Sequence, residues 1–481
     1  MLAAPSSPIA PAFQQLLPVD VPASVRLLAA EPSASTPRSR CSTPREFSFG
    51  LLTAFCSPEL VDRVLAECGR QERRCRLLPA RLVVYALLLM CLSADLGYAK
   101  LMHHLAGLPG LSGAWTAPHK TAFLRARQRL GWEVMERLFR ALARPLGEPA
   151  RDQACFWRGR RVLALDGTTL ELAVNPELEQ AFGGQLANHR GTLQRVGPPR
   201  ARLLTLAECG TRALLDAELG HYEQGENTLA RGMVRSLGPG MLLLADRGFP
   251  SKLLWKTFTE AGVDLLWRAK QGVGQRRLHE LADGSYLVRF GKGDPLTVRV
   301  IEYRLHGSGQ VYRLLTNLLD PILADALELA RLYSERWEVE ILTHELKIRQ
   351  CAGRALRSQT EIGVRQELWA HCLLHTINRQ LVYRAALTLP EPDPDRISFS
   401  LAQDTLRRSL HQVLLVGRRG LASALAKAVR ELSALRALLN RRPRSYPRVA
   451  YKRISRYGSR ASHPSPAPIS RPPLQIALHR A

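Results

Sequence analysis

The residues best suited to chemistry lie in Leu332–Lys347, "LYSERWEVEILTHELK", where Tyr333, Arg336, Glu340 and Lys347 follow at intervals of three, four and seven. At 3.6 residues per turn all four fall within one helix stripe about 60° wide. Leu332, Val339, Leu342 and Leu346 repeat on the far side. Such a helix packs one face and presents on the other a carboxylate flanked by two cations and a phenol. Solvated ion pairs produce the same pattern, so this segment does not decide alone. Two more acids join it. Asp166 closes the apolar run of "VLALDGTTL" (162–170), and Asp246 closes that of "MLLLADRGF" (241–249). Runs of this length suit strands buried on both faces, and an acid at the end of one reaches a crevice rather than a core. Either aspartate alone also reads as a turn-starting residue. Three converging acids raise one another's pKa unless a cation intervenes, and oxygen-only ligands favour Mg2+ or Mn2+. Glu335 and Glu338 point off the stripe, and Glu226, in "QGENTLARGM", reads as a helix-start acid rather than a ligand.

These side chains need a scaffold that brings a helix over the ends of two strands. Strands are predicted at 161–166, 201–208, 212–219, 241–246 and 263–268, with helices at 226–236 and 250–261. Three antiparallel strands thus precede helix–strand units, an α/β order. Residues 271–318 turn to alternating β segments with Gly-rich turns. The helix of Glu340 is predicted over 321–349, entered after Pro321. Residues 46–150 read as helical, with Ser57 as N-cap before Pro58, and Pro79 opening a buried helix. Lys120, Arg125, Arg127 and Arg129 crowd the start of another helix, which suits either a helix-turn-helix entering a DNA groove or a bundle with a solvated basic face. Further helices are predicted at 359–385 and 400–440. Residues 1–45, rich in Ala, Pro and Ser, read as disordered. In 441–460 eight basic residues surround Tyr446, Tyr451 and Tyr457, which suits phosphate contact with stacking or a tail for any polyanion; 441–481 reads as a basic, disordered tail.

Charge narrows the partners. The 481 residues carry 68 Lys and Arg against 42 Asp and Glu, a formal net charge of +26. Such an excess calls for a polyanion, and its spread along the chain favours nucleic acid over a membrane surface. Nine cysteines show neither C-x-x-C pairs nor zinc spacing, which points to reduced thiols in a cytosol. The longest apolar run, Leu82–Leu92, falls short of the roughly 20 residues a bilayer span needs. With no signal-peptide pattern at the N-terminus, a cytoplasmic, nucleoid-associated protein is expected.

Asp166 with its "DGT", Asp246 with its "DRG", and Tyr333, Arg336, Glu340 and Lys347 in the pattern Y-x2-R-x3-E-x6-K together resemble the DDE transposases of bacterial insertion sequences, most closely the insertion sequence four family. The resemblance runs from about residue 50 to about residue 460. It implies a ribonuclease-H-like catalytic domain over 151–358 with a β insertion at 271–318, an N-terminal helical domain at 46–150 that recognises the element's ends, and C-terminal helices over 359–440. It implies Asp166, Asp246 and Glu340 as catalytic metal ligands holding two Mg2+ or Mn2+ ions at a phosphodiester. Tyr333, Arg336 and Lys347 would hold DNA near the cut. Water would attack first, then the freed 3′-OH. Double-stranded DNA, as element ends and target, would be the partner, bridged by a homodimer, with a hairpin intermediate in relatives. Relatives often carry an insertion-domain tryptophan that stacks on an unpaired base; this insertion has none, leaving Tyr286, Phe290, Tyr303, Tyr312, Trp267 and Trp337 as candidates. The rival readings are a ribonuclease-H-like nuclease without strand transfer, an inactive DNA-binding derivative and a basic chromatin protein.

Overall fold

The computed structural model describes residues 49–72, 74, 76–93, 95–107, 116–189, 192–270, 272–273, 276–305, 310–412, 418–435 and 476–478. The N-terminal segment and most of the basic tail lie outside the described residues. The described residues belong to one compact unit.

The chain opens with helices α1 (Leu51–Phe55), α2 (Pro58–Glu67), α3 (Ala80–Leu92), α4 (Tyr98–Ala106), α5 (Lys120–Leu130) and α6 (Glu133–Leu142). Ser57 caps α2 through the Leu60 amide, with Pro58 at the first helical position. Every residue of α3 from Leu82 to Leu92 is buried. At roughly 1.5–3 kcal/mol for each large side chain removed from water, this helix anchors the bundle.

A mixed sheet follows: β1 (Phe156–Trp157), β2 (Arg160–Glu171), β5 (Arg200–Glu208), β6 (Leu214–His221), β7 (Met241–Ala245), β8 (Asp264–Arg268), β9 (Arg277–Glu280), β10 (Tyr286–Phe290), β11 (Leu296–Leu305) and β12 (Val311–Thr316). A small hairpin, β3 (Leu186–His189) with β4 (Thr192–Arg195), stands apart, and helix α7 (Pro176–Phe182) precedes it. The strand order is β6-β5-β2-β7-β8-β12-β11-β10-β9. β2, β5 and β6 run antiparallel, while β2, β7 and β8 run parallel. This is the ribonuclease-H-like arrangement. The β insertion adds to it edge-on, because β12 pairs with β8 and extends the same sheet.

The two sheet faces carry separate cores. Leu163, Leu165, Leu243 and Trp267 face one way, onto α8 (Glu226–Ala230) and α9 (Lys252–Glu260). Val162, Ala164, Leu242 and Leu244 face the other, onto α10 (Ala326–Leu332), α11 (Trp337–His344) and the long α12 (Glu361–Ala386). α12 packs on α3, α6, β6, α13 (Phe399–Gln412) and α14 (Arg418–Ala434). The N-terminal bundle, one face of the sheet and the C-terminal helices therefore share one hydrophobic core. A short C-terminal strand, β13 (Ile476–Leu478), pairs with β11.

Four elements differ from the sequence reading. Ile476–Leu478, within the tail read as disordered over 441–481, forms a strand because its apolar residues add to the edge of β11. β2 runs on to Glu171, so Asp166 sits within the strand, not at its end. The helix predicted over 321–349 starts at Ala326, tightens to 3-10 geometry over Tyr333–Arg336 and loosens to a π-helix over Glu345–Gln350. The basic set on α5 is split: Lys120, Arg125 and Arg129 are exposed, but Arg127 is buried. Its guanidinium donates to Gln366 Oε1 at 2.9 Å, Ser358 Oγ at 2.9 Å and Gly363 O at 2.8 Å. Arg127 therefore clamps α5 to the start of α12 and is not available to a DNA groove.

Candidate active site

Asp166 and Asp246 meet through strand register. The last parallel partners of β2 and β7 are Leu165 and Ala245, so the next residue on each chain is an aspartate. β7 stops there, whereas β2 continues against β5 alone, with Asp166 opposite Thr205. The missing strand opens the crevice beside Asp166. By alternation along β2, Asp166 shares the face of Val162 and Ala164. Thr205 Oγ1 donates to Asp166 O at 3.2 Å, and the Gly248 amide donates to Asp246 Oδ1 at 2.7 Å, holding the "DRG" turn.

Glu340 comes to that face on α11, whose Val339 and Leu342 are fully buried. Arg336 donates to Glu340 Oε1 at 2.6 Å and stays largely buried. The Tyr333 hydroxyl donates to Ala245 O at 3.1 Å, directly before Asp246. Tyr333 thus differs from the phosphate donor expected of it: its hydroxyl is engaged in the core and pins the Glu340 helix onto the end of β7.

The electrostatics report the convergence. The Asp166 carboxyl is raised to about 7, by burial first and against the opposing pull of Arg336, with Glu340 and Asp246 adding to the rise. Asp166, Asp246, Glu340, Arg336 and Tyr333 therefore form one group. Lys347 is placed beyond it, half-buried in the π-helical turn, where its charge bears on the Cys351 thiol. Among the described residues, no three His, Cys, Asp or Glu side chains already stand close enough to ligate an ion. Glu340 is turned onto Arg336 instead. The donor chemistry nevertheless fits a hard divalent cation: carboxylate oxygens only, on converging elements, in mutual repulsion.

The profile described as "Insertion element 4 transposase N-terminal" matches residues 46–140, and that described as "Transposase DDE domain" matches residues 157–377. Transposase InsG for insertion sequence element IS4, from Escherichia coli, is 29% identical over 418 residues, spanning 84% of this chain and 92% of the relative. The chain belongs to the insertion sequence four family of DDE transposases. It is a transposase, an enzyme that cleaves DNA and transfers the cut strand, and its family uses divalent metal ions. A solved structure of the piggyBac transposase synaptic complex with hairpin DNA is similar at a TM-score of 0.41 and 10% identity, covering 79% of this chain and 85% of that one.

Most aromatics considered for base stacking in this transposase are occupied. Trp267 is fully buried, edge-on to Trp255 at 5.2 Å. Tyr286 donates to Glu302 at 3.0 Å, Phe290 packs near Trp255, and Tyr303 stacks on Tyr312 at 5.3 Å. Trp337, with the Arg336 guanidinium over its ring at 5.5 Å, is 44% exposed, the most exposed of these candidates.

The Glu340 helix is also held from behind by a buried ionic network that no local pattern announces. Arg212, in the turn between β5 and β6, donates to Glu338 at 2.5 Å, to Glu345 at 3.5 Å and to Asp395. Arg379 and His375 on α12 hold Glu345 as well. Burial alone would raise the Glu345 carboxyl, but Arg379, His375 and Arg212 hold it down at about 2. Arg212 adopts a left-handed backbone (φ 55°), a strained choice for a residue with a Cβ that the surrounding ion pairs maintain. Far from the acids, Arg70, Arg74, Arg76 and Arg129 line a cleft of about 300 Å3 in the N-terminal bundle. No helix among the described residues is long and apolar enough to cross a membrane.

Proposed function

We propose that Asp166, Asp246 and Glu340 are the catalytic carboxylates of this transposase and that they hold two Mg2+ or Mn2+ ions at the scissile phosphodiester. The observation that supports this most is the register of β2 and β7, which ends at Leu165 and Ala245 with an aspartate next on each, beneath the helix of Glu340. Bound there, paired divalent ions supply activation of an attacking oxygen and stabilisation of the leaving one. The chain's own groups do the rest. The carboxylates fix the reacting phosphate by where they stand. Arg336 balances Glu340 and offers a guanidinium to a non-bridging phosphate oxygen. Lys347 adds positive charge further along the same helix, where it meets the flanking strand. Tyr333 acts as a positioning residue through its bond to Ala245 O. Water attacks in the first step, and the freed 3′-OH of the element in the second.

The N-terminal bundle, residues 46–150, serves recognition of the terminal inverted repeats, with Arg70, Arg74, Arg76 and Arg129 as phosphate contacts. The basic tail, 441–481, adds affinity for any DNA. Two chains bridge two element ends as a homodimer, in the cytoplasm at the nucleoid, and Trp337 is the aromatic best exposed to receive an unpaired base. Asp166→Ala, Asp246→Ala and Glu340→Ala should each abolish nicking of an end-containing duplex while gel-shift binding to that duplex persists. Nicking by all three at the parent rate would refute the assignment.

A further inference from the structure

We propose that Glu226 is a fourth carboxylate of the divalent-cation centre, reaching it from the sheet face opposite Glu340. This rests on the assignment of Asp166, Asp246 and Glu340 above. Glu226 opens α8, whose Leu229 and Ala230 pack with Leu163, Leu165 and Leu243. The Glu340 helix lies on the other core, with Val162 and Ala164. Glu226 nevertheless reaches the strand ends, and two glycines make room for it. A Cβ at Gly167, the residue after Asp166, would collide with Glu226 Oε1. A Cβ at Gly248 would lie 2.9 Å from Asp246 Oδ1 and 3.7 Å from Glu226 Oε2, so these two carboxylates flank one point.

The two oxygens of Glu226 have different surroundings. Oε1 accepts from Arg202 Nη1 at 2.8 Å. Arg202 is itself fixed, donating to Tyr222 O through Nε at 3.1 Å and Nη2 at 2.9 Å. Oε2 lies on the side of Gly248, where a Cβ would come within 3.7 Å of it and 2.9 Å of Asp246 Oδ1. The side chain is 30% exposed, so a hydrated cation has access to it. Asn227 donates to Gly248 O at 3.4 Å and ties the start of α8 to the "DRG" turn. A carboxylate oriented by a fixed guanidinium on one oxygen and open on the other is the arrangement of a metal ligand with an outer-shell partner. Its bland alternative is a structural ion pair with Arg202.

The test is Mn2+ binding by the DNA-free full-length chain, followed by calorimetry and by the electron-paramagnetic-resonance signal of free Mn2+. Glu226→Gln, which keeps the shape, should weaken Mn2+ binding about tenfold. Glu226→Asp, which keeps the charge but shortens the reach, should fall between. Arg202→Gln should leave the affinity equal or higher, because it removes a competing cation. Unchanged affinity in Glu226→Gln, or equal weakening in Glu226→Gln and Arg202→Gln, would overturn the proposal. Asp246→Asn separates the two levels. If it weakens binding and Glu226→Gln does not, only Glu226 is excluded; if neither does, the catalytic assignment fails too.

Discussion

Replacing Arg212 with methionine should destabilise the folded transposase by about 3–5 kcal/mol, the usual cost of removing one partner from a buried ion pair. The side chains of Arg212, Glu338 and Asp395 are 4%, 9% and 1% exposed, so water cannot take the place of the lost guanidinium. Glu345 keeps Arg379 and His375, which places the new cost at Glu338 and Asp395. Adding Glu338→Met to Arg212→Met should recover about 1–3 kcal/mol, because a neutral side chain of similar volume removes one of the buried carboxylates that faced the lost guanidinium. Urea denaturation followed by tryptophan fluorescence reads both, with a midpoint loss on the order of 1 M for the single variant. Cleavage should fall in Arg212→Met as well, since Glu338 and Glu345 flank Glu340 on the helix they secure. An unchanged midpoint, or a double variant that loses the sum of both singles, would refute the argument.

Two other outcomes follow from the same structure. Arg336→Ala should weaken assembly of the complex holding two element ends more than it weakens Mn2+ binding; a normal complex by gel shift counts against it. Burial holds the His371 imidazole down at about 4, below its ordinary 6.5, so the unfolded chain binds the extra proton between those values. The His371 contribution to stability is full above pH 6.5 and falls by about 3 kcal/mol as pH drops toward 4, opposite in sign to that of the raised Asp166 carboxyl over the same range. His371→Gln should flatten that part of the urea-midpoint profile, and a profile of unchanged slope would show that His371 does not carry it.

The acids were legible in the sequence because local rules place them. Helical periodicity puts Arg336 beside Glu340, and their ion pair is present. Apolar runs mark β2 and β7 as buried strands, and their register brings Asp166 beside Asp246. The rest depends on contacts without a local signature. Arg212 meets partners 126, 133 and 183 residues away. Nothing in "QGENTLARGM" shows that Gly167 and Gly248 leave a path for Glu226. Tyr333 lies on the predicted stripe, yet the 3-10 turn and the end of β7 bury its hydroxyl. Arg127 has the composition of a DNA-reading helix and the environment of a core clamp. Burial of an arginine is decided by who packs on it, here α12, more than two hundred residues on.

Metal ligation by the carboxylates is tested most directly by exchanging oxygen for sulfur. Mg2+ takes sulfur ligands poorly, and transition ions take them better. Asp246→Cys should therefore lose nicking of an end-containing duplex in Mg2+ and regain a measurable part of it in Mn2+, while Thr205→Cys should show no such metal dependence. Full activity of Asp246→Cys in Mg2+, or a Mn2+ response identical to that of Thr205→Cys, would contradict the account.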